Sequence, residues 1–430
     1  MIILSTLQTS FLIPILIILG ISAAIELILC AFNVKIIPAF VIEILIGVAI
    51  APWFNKYVVD LQMVSLMDGL YVVGLSLIIF LSGYEVELGL LKDNKRSGTT
   101  HVNIFRVALG IFISVLAISV GVGFFMSLTQ DISIGEKWLK TGLLLGIVFS
   151  SSFAGLVSPL IHIQKMQNTI LGKIFDAFSD LSEIISIVLL SIFMIIAGVS
   201  DGLIWILLVM IVVLVLWSRL SSRKSFFEKV SSITDYKQLP VRLLIMLILG
   251  LVLLSDLAGV EYILGAYAAG MVTRSSAIKK ETFKKIEHII YALFVPIFFV
   301  LVGTTIDIVS FVKDGSNLLH VLYILIGLLI VRIPMLYLLK WFKFKTLLPM
   351  VLLSTTTIVV CIAAGHIGVH LNLFTEAFGD ALVLAGIITC IVNPIVFRIV
   401  FPLGEHTEMY HLKNLLNKED LPDHYQNNQM

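Results

Sequence analysis

Of the 430 residues 59% are hydrophobic and 13% charged, about half the charged share of a soluble globular protein, which excludes a water-soluble enzyme. A formal net charge of +1 excludes a basic face for nucleic acid. The three cysteines, Cys30, Cys361 and Cys390, lie in apolar stretches without CxxC spacing and suggest neither a disulfide framework nor a zinc site.

Apolar runs separated by charge clusters predict thirteen spans near 10–32, 36–54, 68–90, 102–127, 138–163, 169–197, 202–218, 240–257, 259–273, 288–310, 317–341, 346–368 and 375–403. Lipid gives backbone groups no water to bond, and the runs are too long and too weakly alternating for barrel strands, so each is expected to be a helix. The fold class is an all-α membrane protein. No Lys or Arg precedes the first apolar run, where the first charge is Glu26, so the first span is expected to remain in the mature protein. With the N-terminus outside and the C-terminus inside, and Arg332 set apart within a span, 24 Lys and Arg face the cytoplasm and 4 face out, the bias that orients membrane helices. Residues 1–403 form the transmembrane domain and 404–430 a short, polar cytoplasmic tail.

Span three contains Phe80-Leu81-Ser82-Gly83-Tyr84-Glu85-Val86-Glu87 and span ten contains Phe299-Val300-Leu301-Val302-Gly303-Thr304-Thr305-Ile306-Asp307. Each is an apolar run, a glycine, two residues, an aliphatic and an acid. Gly83 and Gly303 are 220 residues apart, and Gly47 and Gly270, in spans two and nine, are 223 apart. Spans 1–6 then match spans 8–13 with span seven as a linker, and an offset of seven spans makes the copies inverted repeats. In such proteins the site is expected between the halves at paired helix breaks. The fifth span of each half offers breaks: Ser150-Ser151-Ser152 with Ser158-Pro159, and Ser354-Thr355-Thr356-Thr357. These hydroxyls either serve freed backbone groups and a cation or bond back to their own helix.

Charge at membrane depth costs several kcal/mol and marks function. In span six, Asp176, Asp180 and Glu183 stand at i, i+4 and i+7, one helical face, with Ser179 and Ser182 beside them. Arg332 lies within span eleven; it either ties two helices together or neutralises the carboxylate face. Desolvation disfavours a bare carboxylate, so a proton and a cation compete to neutralise it, and an exchanger results if only the loaded site crosses. Glu43 either lines the aqueous side of the site or supports packing, and Glu85, Glu87 and Asp307 close their spans near the headgroups. His366 and His370 are at i, i+4 but lack the Glu of HExxH, so no structural metal is expected. Without GxGxxG, Walker A or GxSxG in a credible context, no cofactor, nucleotide or covalent catalysis is indicated.

The stretch Ile37-Pro38-Ala39-Phe40-Val41-Ile42-Glu43-Ile44-Leu45-Ile46-Gly47 resembles the P-x-x-x-x-E-I-L-x-G second helix of the monovalent cation:proton antiporter-2 family, which holds bacterial sodium/proton antiporters and Kef-type potassium efflux proteins. Phe80-Leu81-Ser82-Gly83-Tyr84-Glu85 resembles its FLAGLE segment, and Phe294-Val295-Pro296-Ile297-Phe298-Phe299-Val300-Leu301-Val302-Gly303 its PLFFVxxG helix. The resemblance covers nearly the whole chain. It implies exchange of Na⁺ or K⁺ for H⁺ in the cytoplasmic membrane, a homodimer formed through the early spans of each half, and spans 4–6 and 11–13 as a moving core. Where the family has Asp-Asp, Asn-Asp or Gln-Asp this sequence has Ser182-Glu183, so Glu183 is implied as the carboxylate that binds cation and proton, with Asp180 second. The lone acid of that pair implies one-for-one exchange, with Asp180 able to add a charge. Arg332 matches a cation that pairs with the site. Ser152-Phe153-Ala154 replaces the usual Thr-Asp-Pro or Thr-Ser-Pro break, and Thr355-Thr356-Thr357 an Arg-Gly-Glu turn. Two alternatives remain: a Kef-like potassium path gated by a separate subunit, and a non-transporting sensor or scaffold.

Overall fold

The structure is a computed structural model that describes residues 2–31, 39–57, 61–85, 104–128, 135–164, 166, 169–198, 239–257, 262–275, 280–305 and 315–401. Twelve of the thirteen expected spans carry helix there, and no β-strand occurs among the described residues. The seventh span, the 219–239 connection up to Gln238, Glu87, Asp307 and the 404–430 tail lie outside them.

One unit comprises residues 1–86 and 194–313. Its helices are α1 (Ile2–Ala31), α2 (Ala39–Tyr57), α3 (Leu61–Glu85), then α8 (Leu239–Leu257), α9 (Tyr262–Ser275), α10 (Lys280–Ile289) and α11 (Val295–Thr304). Between α10 and α11 the chain makes a π turn at Ile290–Phe294, where the Val295 N–H reaches back to the Ile290 carbonyl. Pro296 explains the turn: it has no N–H for the Ala292 carbonyl, so the bonding pattern slips by one residue before the helix resumes. The helix therefore runs on from Lys280, earlier than the expected start of span ten near 288.

The backbones of α2 and α11 touch at glycine. A Cβ on Gly47 would strike the Val300 carbonyl and meet Gly303 Cα at 2.9 Å; one on Gly303 would strike the Ile44 carbonyl. Likewise, a Cβ on Gly83 of α3 would strike the Tyr267 carbonyl of α9, and one on Gly270 the Phe80 carbonyl. Lipid supplies no hydrophobic drive between helices, so such close van der Waals contact is what holds them. Around it pack Ile18, Phe54, Met67, Ile297, Val300 and Leu301.

The second unit comprises residues 87–193 and 314–430. It holds α4 (Ile104–Leu128), α5 (Glu136–Ser150), α6 (Ala154–Ile163), α7 (Ile170–Ile196) up to Phe193, α12 (Gly315–Ile330), α13 (Ile333–Leu338), α14 (Phe344–Leu353), α15 (Val359–His370) and α16 (Glu376–Val400). Three expected spans are interrupted here: the fifth at 151–153, the eleventh at Val331-Arg332 and the twelfth at 354–358. The break expected at Ser158-Pro159 does not form, because α6 runs through both residues. The interruption comes earlier, where Ser150 and Ser151 bond back to the preceding turn.

Enlarging Gly47 or Gly303 must push α2 and α11 apart. Gly47→Val should lower stability by about 1–3 kcal/mol, the usual cost of overpacking, seen as a lower unfolding temperature in detergent; an unchanged transition would contradict the backbone contact.

Candidate functional site

Two helix interruptions meet in the second unit. At the end of α5 the Ser150 and Ser151 hydroxyls donate to the Ile147 and Val148 carbonyls at 2.9 and 2.8 Å. Side chains thus satisfy groups that a continuing helix would bond through its backbone. Residues 151–153 are extended, and α6 begins at Ala154. The same chemistry ends α14: Ser354, Thr355 and Thr356 donate to the Val351, Leu352 and Leu353 carbonyls at 2.7, 2.8 and 2.8 Å. The two segments cross. The Phe153 N–H donates to the Thr356 carbonyl at 2.7 Å, and the Ser151 and Thr357 hydroxyls are hydrogen-bonded to each other. Ser150, Ser151, Ser152, Thr355, Thr356 and Thr357 are all buried.

Charge is arranged around the crossing according to the polarity of the half-helices. Glu183 of α7, 1% exposed, accepts the Ala154 N–H on Oε2 at 2.8 Å, placing a carboxylate on the N-terminus of α6. Arg332, also 1% exposed, donates through Nη1 to the Ser150 carbonyl at 3.5 Å and through Nη2 to the Ser151 carbonyl at 2.5 Å. Its cation thus sits at the C-terminus of α5. Negative charge at a helix start and positive charge at a helix end are each stabilising, up to about 2 kcal/mol when partly buried. The Ser182 hydroxyl adds a second donor to the Ser150 carbonyl, at 2.6 Å, and the Arg332 guanidinium lies 5.3 Å from the Phe178 ring centre. Ser152 Oγ is buried with no hydrogen bond among the described residues.

The expected residues are therefore brought together only in part. Glu183, Ser182, Arg332 and both hydroxyl clusters converge. Arg332 differs from the expected charge pair: its guanidinium meets carbonyls and makes no ion pair among the described residues. The carbonyls at the end of α5 lie within hydrogen-bond distance, so they take the donors. Asp180 is half-buried one turn before Glu183, and Asp176 lies nearer the start of α7, 3.8 Å from the exposed His162. Glu43 belongs to the other unit, buried on α2, where it accepts the Ser22 hydroxyl of α1 at 2.6 Å. Sequence reasoning missed the Ala154 amide, which carries no side-chain signal, and two polar neighbours. Ser186 Oγ lies 3.3 Å from Ser150 Oγ, and the Asn393 amide donates to Thr355 Oγ1 at 2.8 Å. Asn393 was visible as a lone amide within an apolar span. Among the described residues no three His, Cys, Asp or Glu side chains group to hold a metal.

Because Arg332 serves the end of α5 with two donors, Arg332→Met should strand carbonyls and cost about 1–3 kcal/mol. Arg332→Lys should restore only part, since an ammonium lacks the fork. Thermal unfolding of the purified variants decides this: equal transitions for Met and wild type would remove the role.

Residues 15–402 match the family model described as sodium/hydrogen exchanger, transmembrane. The chain is 28% identical over 381 residues to the putative Na⁺/H⁺ antiporter YjbQ of Bacillus subtilis, covering 86% of this chain and 60% of that protein. It is 26% identical over 280 residues to the Na⁺/H⁺-K⁺ antiporter GerN of Bacillus cereus, covering 63% of this chain and 65% of that one. Against the probable Na⁺/H⁺ antiporter 3 of Methanocaldococcus jannaschii the identity is 24% over 379 residues, 85% and 91% of the two chains. Among solved structures, the sodium proton antiporter MjNhaP1 of Methanocaldococcus jannaschii superposes with a TM-score of 0.57 at 14% identity, over 95% of this chain and 99% of that one, a likeness of fold. These relatives are transporters, and seven helices of the described residues are long and apolar enough to cross a membrane. With most of its length matched to the family model, this multi-pass membrane protein belongs to the sodium/hydrogen exchanger family.

Proposed function

We propose that the protein exchanges Na⁺ for H⁺ across the cell membrane, with its N-terminus outside and its C-terminus inside, and that the two ions alternate on the carboxylate face of α7. The observation that carries this reading is Glu183, a buried carboxylate held on the first amide of a half-helix where two interrupted helices cross. Half-helix ends at membrane depth are where transporters of this architecture bind ions. Burial makes a bare carboxylate costly. A proton or a sodium ion each removes that cost, and both cannot occupy one oxygen, so binding of one reduces binding of the other. The transported ion then draws on Glu183, Asp180, Ser182 and the break hydroxyls, with Asp176 as a further carboxylate toward the start of α7 and Arg332 as a fixed charge. Glu43 is an accessory group in the other unit.

The finer placement we propose is in the monovalent cation:proton antiporter-2 branch, with spans 1–6 and 8–13 as inverted repeats, span seven as linker, and a homodimer as the working form. The glycine contacts support the repeat: exchanging the two copies turns the Gly47–Gly303 contact into the Gly270–Gly83 contact. K⁺ stands beside Na⁺ as a substrate because GerN is named for both ions.

In everted vesicles, addition of Na⁺ should shift the internal pH. Glu183→Gln should abolish the shift while the protein stays in the membrane, and Asp180→Asn should reduce it. Full activity of Glu183→Gln would move the ion load to Asp180. Competition for one site further requires that the apparent KM for Na⁺ rise as pH falls, approaching roughly tenfold per unit; a pH-independent KM would exclude a shared site.

A further inference from the structure

The second interruption is held in place by a helix that supplies no ionisable group to the site. α16 approaches the 354–358 segment at two points. A Cβ on Gly386 would lie 2.7 Å from the Thr357 carbonyl and 3.3 Å from Cys361 Cβ, so the backbone of α16 lies against the start of α15. Two turns further along, the Asn393 amide, 6% exposed, donates to Thr355 Oγ1 at 2.8 Å. That hydroxyl already donates to the Leu352 carbonyl at 2.8 Å. The Thr355 oxygen is thus both donor and acceptor, which fixes its rotamer and with it the turn that ends α14. The next residue offers the carbonyl that receives the Phe153 N–H, and Thr357 bonds Ser151. On the other side of that crossing the Ala154 N–H meets Glu183. One continuous set of hydrogen bonds and peptide links runs from Asn393 to the buried carboxylate.

A buried amide in an apolar helix is costly unless its bonds are made. A leucine has the same branching and number of heavy atoms without that cost, so the amide is worth its place for the bond it gives to Thr355. We propose that Asn393 is a positioning residue of the cation site. Through Thr355 it sets where the Thr356 carbonyl and the Thr357 hydroxyl meet the Ser151–Phe153 segment, and so how closely the break oxygens surround an ion beside Glu183. This rests on the exchange reading above and adds a residue that touches neither ion.

Outer-shell hydrogen-bond partners of metal-ion ligands cost roughly 10–100-fold in affinity when removed, and Asn393 stands in that relation to the break. In everted vesicles Asn393→Leu, which keeps the branching, and Asn393→Ala should each raise the apparent KM for Na⁺ by roughly tenfold or more while the maximal rate is retained. Thr355→Val, which also loses the bond to the Leu352 carbonyl, should raise KM at least as far, and the Asn393→Leu/Thr355→Val double variant should be no worse than Thr355→Val, because the Asn393–Thr355 bond is already lost there. A KM unchanged in Asn393→Leu, or losses that add in the double variant, would overturn the assignment. Should Asn393→Ala be missing from the membrane, the leucine variant decides. Wild-type protein that moves no protons with Na⁺ would fell the exchange reading itself. Wild-type exchange with an unaltered KM in the leucine variant would fell this inference alone.

Discussion

A polypeptide that unwinds inside a bilayer must bond every amide and carbonyl it exposes, because no water is there to do so. The second unit answers that constraint with two interruptions that serve each other and with charges matched to the helix ends. The Phe153 amide goes to the Thr356 carbonyl, the Ala154 amide to Glu183, and the Ser150 and Ser151 carbonyls to Arg332 and Ser182. The buried Glu183 carboxylate is part of this solution. It completes the start of α6, so the proposed chemistry and the fold draw on the same hydrogen bond.

That coupling gives the proposed exchange a physical basis. The positive end of a half-helix attracts a carboxylate, and under the proposed exchange it moderates that carboxylate's hold on a cation. Tight enough to select an ion and weak enough to release it is the balance a transporter needs. Arg332 places positive charge at the end of the other half-helix, on the Ser150 and Ser151 carbonyls. The first unit works by another principle, backbone contact at Gly47–Gly303 and Gly83–Gly270, where small residues replace the hydrophobic drive that lipid removes.

Much of this was readable from residue order. The apolar runs gave helices at twelve spans, and the serine and threonine clusters marked the interruptions in the fifth and twelfth. The face of Asp176, Asp180 and Glu183 followed from helical spacing. Other features were not readable. The Ser158-Pro159 pair looked like a break and is helix, because Pro159, the sixth residue of α6, removes only one backbone donor from it. The π turn before Pro296 depends on which carbonyl the missing N–H strands. Arg332 looked like a partner for carboxylates because opposite charges attract, yet carbonyls at a helix end compete for it and are closer.

By itself the sequence determined that this chain is an all-helical membrane protein with a buried acidic face and two hydroxyl-rich kinks. Composition and periodicity are local quantities, and lipid leaves helix as the one conformation an isolated apolar segment of this length can take. Tertiary structure decided what those features bond to. Which amide Glu183 completes, which carbonyls Arg332 reaches and which hydroxyl Asn393 fixes depend on segments 29, 181 and 182, and 38 residues apart in the chain. Their meeting is set by how the helices pack, and spacing along one strand of sequence does not encode distance across a bundle.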